Sequence, residues 1–182
     1  MKKNLILAAM SLLVFAFAVS AQKSTDFSGT WNLDLAKSKL SDREKASIES
    51  QTLTITQTAT DLTVATATKR TPPPADAPAG GPPGGRGMGM GSPDGSTTYK
   101  LDGKEVKSEM TTPMGSMPMS LKAKLDGGKL EITRTMTTPM GDRTSTEKWS
   151  LGADGTTLSI ESQRPNRDGG TDTTTKVFVK KQ

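Results

Sequence analysis

The sequence contains no cysteine and no histidine. Without cysteine no disulfide can staple the fold, even in an oxidising compartment. Without histidine, nucleophilic triads that use an imidazole base and histidine-ligated zinc sites are both excluded. Aromatic residues make up only 4% of the chain, with two Trp and one Tyr, so a wide, aromatic-lined interior is not expected. Basic clustering is also lacking. The 24 Lys and Arg face 19 Asp and Glu and are spread singly along the chain, which does not support a nucleic-acid partner. Catalysis would have to rest on Asp, Glu, Lys or Tyr99. The acids fall mostly on turns or on outward positions (Asp102, Asp126, Glu131, Asp154), so no catalytic pair is recognisable and the chain does not read as an enzyme.

The one long apolar run, Leu5 to Val19, follows Met1-Lys-Lys-Asn and precedes Val19-Ser-Ala21-Gln22. A basic start, a short apolar core and small residues before a cut after Ala21 describe a secretory signal peptide over 1–21. The run is short for a bilayer span, so no membrane anchor is expected after cleavage, and no cysteine follows it to carry a lipid. Residues 22–182 are then one domain in the periplasm or outside the cell, expected to be a monomer. Loss of Lys2 and Lys3 lowers the formal charge from +5 to about +3.

What is there is organised around Met110 to Trp149. The hexapeptide Met-Thr-Thr-Pro-Met-Gly occurs at 110–115 and again at 136–141. Between the copies, Leu121-Lys-Ala-Lys-Leu125 and Lys129-Leu-Glu-Ile-Thr-Arg-Thr-Met136 alternate apolar and polar residues around Asp126-Gly-Gly128. This pattern is an antiparallel hairpin with one buried face. Similar strands are predicted over 27–35, 51–58, 61–68, 97–101, 105–110, 144–151, 157–162 and 171–180, with Thr-rich, β-branched content that favours sheet. Residues 36–50 are polar and read either as a loop or as a short helix capped by Ser41. Residues 71–95 are Pro/Gly-rich and read as a disordered loop insertion. Glycine does not recur every third residue there, which rules out a collagen-like segment. About 8–10 strands with a turn signal after each predict an all-β, antiparallel up-and-down meander closed into a barrel.

The connections alternate in character. Ala59-Thr60, Asp102-Gly103, Asp126–Gly128 and Asp154-Gly155 suit tight hairpins, whereas 36–50, 71–95, 111–119, 137–142 and 164–170 are long. All the long ones therefore gather at one end, a mouth of the kind where such barrels hold ligands. Met88, Met90, Met114, Met117, Met119 and Met140 gather there with them. Pro-Met-Gly suits a turn for plain backbone reasons. The same methionines could instead line a mouth for apolar ligands. As a third reading, Met88, Met90, Met114, Met117 and Met119 present thioethers suited to Cu(I).

Alternation places Leu130, Ile132, Arg134 and Met136 on one inward face, and Ser145, Glu147, Trp149 and Leu151 on another. The 137–142 connection sets Arg134 opposite Ser145 and diagonal to Glu147. This is either a structural Arg–Glu pair or a receptor for the anionic head of an apolar ligand. Trp31 and Trp149 also face inward. On the last strand the parity is open: either Val177 and Val179 or Lys176 and Phe178 point in.

Phe27-Ser-Gly29-Thr30-Trp31-Asn-Leu33, opening a meander, resembles the Gly-x-Trp start of the lipocalin-like (calycin) barrels. Thr175-Lys176-Val-Phe178-Val-Lys180 is similar to the last strand of fatty-acid-binding proteins, where a basic residue and an aromatic two positions apart hold a carboxylate. Here the aromatic lacks a hydroxyl. The resemblance implies an exported barrel for a small hydrophobic or amphipathic molecule, needing no cofactor. Its ligand-lining residues would be Trp31, Tyr99, Arg134, Trp149, Met114 and Met140. The many inward Thr positions keep a second reading open, a ligand-free structural or envelope-interaction module.

Overall fold

The computed structural model describes residues 25–72, 94–112, 115–138, 141–166 and 169–182. The signal-peptide reading of 1–21 and most of the Pro/Gly-rich loop lie outside them. Ten strands run in chain order as β1 (Gly29–Lys39), β2 (Ile48–Gln57), β3 (Asp61–Arg70), β4 (Gly95–Lys100), β5 (Asp102–Thr112), β6 (Gly115–Asp126), β7 (Lys129–Thr138), β8 (Gly141–Leu151), β9 (Thr157–Pro165) and β10 (Thr171–Lys180). All pairings are antiparallel, and the order across the sheet is β4-β3-β2-β1-β10-β9-β8-β7-β6-β5. The meander is thus the predicted all-β, antiparallel up-and-down barrel, nearly closed.

Residues 42–47 settle as a short helix, α1 (Asp42–Ser47). Ser41 Oγ accepts from the Glu44 backbone N–H at 3.3 Å, while a Glu44 carboxylate oxygen accepts from Ser41 N–H at 3.1 Å. This reciprocal capping box satisfies two N–H groups that a helix start otherwise leaves open. Arg164 Nη2 reaches Glu44 at 3.6 Å and ties α1 to β9.

Strand β1 joins the two ends of the meander. Trp31 pairs with Leu53 on β2 and with Lys180 on β10. Trp31 is fully buried, its Nε1 donates to Phe27 O at 2.9 Å, and Lys180 Nζ lies 5.1 Å from its ring centroid. Between Asp34 and Lys39 the β1–β10 register slips. There Ser38 Oγ accepts from Val177 N–H and donates to Asp34 O, standing in for the missing ladder bonds. Lys176 and Phe178 are the inward pair on β10: Phe178 is buried opposite Leu33, and Val179 is exposed.

Three expectations need correction. Residues 111–119 and 137–142 are not long loops. β5–β6 pairing continues to Thr112 opposite Gly115, and β7–β8 pairing to Thr138 opposite Gly141. Alternating β-branched and apolar residues carry both ladders to the hairpin tips, so Met117 and Met119 lie on β6 rather than on a loop. Third, Asp102-Gly103 does not close a β4–β5 hairpin. Among the described residues β4 pairs with β3 alone and β5 with β6 alone. The register slips between Asp102 and Glu105, with Gly103 at φ 75°. Such an irregularity bends a strand, and β5 leaves β4 there, opening a seam in the wall.

The interior is graded from end to end. Near the tight turns, inward positions are apolar: Ile55, Leu62, Leu130, Leu158 and Phe178, with Phe27 edge-on to Trp149 at 6.2 Å. Burying each of these large side chains stabilises the fold by roughly 1.5–3 kcal/mol. One or two steps along the same strands toward the mouth, the inward residues become Gln51, Thr66, Arg134, Ser145 and Glu147, all buried.

Candidate functional site

At the middle level of the barrel lies one hydrogen-bonded network. Arg134 pairs with Ser145 across the β7–β8 ladder, as alternation predicts, and Glu147 is the next inward residue on β8. Arg134 Nη1 donates to Glu147 Oε1 at 2.5 Å and Nη2 to Oε2 at 3.3 Å. Tyr99, inward on β4, accepts from Arg134 Nη2 at 2.7 Å and Nε at 3.2 Å. Trp149 Nε1 donates to Glu147 Oε2 at 3.0 Å. Arg134 and Glu147 are only 5% and 6% exposed, so each charge depends on the other.

The electrostatics follow from that dependence. Burial pushes the Glu147 carboxyl up, but the Arg134 charge and its hydrogen bonds, with the Trp149 N–H, outweigh burial and hold it below the usual carboxylate range. Burial likewise disfavours the charged guanidinium, yet Glu147 and Tyr99 keep Arg134 protonated. Burial raises the Tyr99 phenol despite Arg134 beside it, so the hydroxyl stays neutral. Burial lowers Lys176, which Glu147 only partly offsets.

Two spaces flank this network. On the β8–β10 side a cavity of about 40 Å³ is lined by residues that include Gln51, Ser145, Glu147, Trp149, Arg164 and Lys176. Lys176 Nζ donates to Gln51 Oε1 at 2.9 Å, and Ser145 Oγ, 3% exposed as a residue, has no hydrogen-bond partner among the described residues. That volume admits about one to three waters and no larger guest. On the other side, at the seam, a cleft of about 390 Å³ runs along β4, β5 and β6 at the mouth end. Its walls include Thr97, Val106, Ser108, Met110, Met119 and Leu121. This volume is within the range of ordinary ligand pockets.

Of the residues expected to line a ligand site, Tyr99, Arg134 and Trp149 come together in the network. Trp149 also lines the small cavity. Trp31 packs in the core near β10 and lines neither space. Met88, Met90, Met114 and Met140 lie outside the described residues. The seam cleft, and with it Val106, Ser108 and Met110, escaped the sequence reading, because strand alternation is the same whether or not two neighbouring strands pair.

No family model and no curated protein matches the sequence. Among solved structures the chain is similar to a mutant of the fluorescent protein UnaG, at 17% identity over 85% of this chain and 95% of that chain, with a TM-score of 0.48. It is also similar to zebrafish ileal bile acid-binding protein complexed with cholic acid, at 18% identity over 85% and 98% of the two chains, with a TM-score of 0.45.

Proposed function

We propose that this chain is an exported binding barrel that takes a small amphipathic molecule in the seam cleft at its mouth. The observation that carries this reading is the two-sided lining of the cleft. Met110, Met119, Val106 and Leu121 offer apolar and polarisable surface, while Ser96, Thr97, Thr98 and Ser108 offer hydroxyls and Asp94, Lys107 and Glu109 add charge. Apolar surface beside hydrogen-bonding groups suits a guest that is itself amphipathic rather than a wholly apolar one. The signal-peptide pattern of residues 1–21 supports export. The tight core and the 40 Å³ cavity keep the bulk of a ligand out of the barrel centre. The network braces β4 against β7 and β8, with Tyr99 as the link to the cleft wall.

The packed interior favours one other reading, a ligand-free structural module, and a single experiment separates the two. Protein purified from its native envelope is analysed by native mass spectrometry after organic extraction, beside Ser108→Trp, whose indole fills the cleft. A small-molecule mass on the parent, lost from Ser108→Trp with no change in unfolding midpoint, is the expected result. A ligand retained by Ser108→Trp, or an apo mass that no panel of amphipathic molecules shifts, would overturn the proposal.

A further inference from the structure

The strand register brings together a methionine cluster that the loop-based expectation did not contain. Met110 on β5 is paired with Met117 on β6, and Met119 on β6 is paired with Met136 on β7. Paired residues of an antiparallel ladder share a face, as do residues two apart on one strand. All four methionines therefore share one face. That face is the inner one, because Met119 packs against the core and Leu121, next in step on β6, is buried. All four are partly buried, and two of them, Met110 and Met119, line the seam cleft.

We propose that Met110, Met117, Met119 and Met136 form a soft-metal site that binds one Cu(I) ion. Directly opposite side chains in a ladder start about 4.5–5.5 Å apart at Cβ, and steps of two along a strand add about 7 Å. Methionine is unbranched with three rotatable bonds, so Met117, Met119 and one or both cross-strand partners can converge on a single ion. Neutral thioethers select a soft monovalent cation over the harder Zn(II) or Mg(II). No thiol or imidazole competes anywhere in the chain, since the sequence has no Cys and no His. The nearest inward charge, Arg134 two residues before Met136, is already paired with Glu147 and so repels an added cation less than a lone guanidinium would. The seam cleft gives the ion a path to the sulfurs. This site shares a wall with the proposed ligand cleft but does not depend on an organic ligand being bound.

The test is an anaerobic titration of the full chain with Cu(I) against a chromogenic Cu(I) chelator. It is repeated with Ag(I) as a redox-stable probe while the ¹³C-labelled methionine methyls are followed by NMR. One equivalent should bind, moving the methyls of Met110, Met117, Met119 and Met136. The Met117→Leu/Met136→Leu variant, which keeps volume, removes two sulfurs and touches no residue of the cleft wall, should lose at least tenfold in affinity while retaining any amphipathic ligand and its unfolding midpoint. Failure of the parent to compete with the chelator, shifts confined to other methionines, or unchanged affinity in the double variant would each refute the site. Because Met117 and Met136 lie outside the cleft lining, loss of metal with retained organic ligand distinguishes this proposal from the binding function above.

Discussion

Replacing Glu147 by Gln tests the interior electrostatics most directly. The substitution keeps the shape of the side chain but removes the charge facing Arg134, which is 5% exposed. It also places an amide N–H₂ where either the Arg134 guanidinium or the Trp149 N–H, at 2.5 and 3.0 Å from the present oxygens, needs an acceptor. An unpaired buried charge of this kind costs about 3–5 kcal/mol. With a urea slope of about 2 kcal/mol/M, that moves the unfolding midpoint down by about 2 M. A double-mutant cycle with Arg134→Met isolates the pair. The lost acceptor for Trp149 appears in one arm and the lost donor to Tyr99 in the other, so both cancel. The coupling left over should be about 2 kcal/mol or more. A coupling below about 0.5 kcal/mol would show that water screens the pair, as at an exposed ion pair, and would refute the mutual dependence of the two buried charges.

Three further outcomes are expected. The Glu147 carboxyl is held below its ordinary value of 4.5, so its stabilisation is complete above that pH and is lost as pH falls through the ordinary value toward the lowered one. Urea midpoints measured from pH 6 down to pH 3 should show this acid slope in the parent, and a shallower one in the Arg134→Met/Glu147→Gln variant. Gly29 has φ 135°, and an added Cβ would meet Lys180 Cε at 2.6 Å. Gly29→Ala should therefore cost about 1–3 kcal/mol, chiefly through the backbone because the lysine tip can move, and a thermal midpoint equal to the parent's would contradict this. Ser145→Ala removes a buried hydroxyl that has no partner among the described residues and should leave stability unchanged or raise it by up to about 1 kcal/mol. Clear destabilisation would mean that the hydroxyl holds an ordered water.

Much of the interior was legible from alternation, since side-chain direction in a strand has a period of two. Arg134 opposite Ser145 came out as expected even though the connecting loop is shorter than predicted. Extending a ladder symmetrically toward its tip leaves every existing pair unchanged, so an error in loop length did not become an error in register. Tyr99 as the acceptor for Arg134 was not legible, because β4 and β7 are not neighbours in the meander and only the curvature of the wall brings them together. The parity of β10 was undecidable from Lys176-Val-Phe178-Val alone, where both faces carry apolar residues. It is fixed by pairing with β1, across nearly the whole chain. The seam was hidden for a further reason. Asp102-Gly103 has the chemistry of a tight hairpin, yet the bend at Gly103 directs β5 away from β4.

The position of β1 in the sheet order also has a kinetic consequence. Strands β1 to β4 can zip together as one meander and β5 to β10 as another, each hairpin except β3–β4, which is joined through residues 71–94, needing only short-range closure. Among the described residues a single ladder, β1 with β10, joins the two sets, and it matches Leu33 with Phe178. Pairing over that separation carries the largest loop-closure entropy in the molecule, so it should form last and set a folding time in the millisecond-to-second range of sheet proteins. Until it forms, both sets present unpaired strand edges to other chains, and that late step is where the Trp31–Lys180 contact first contributes.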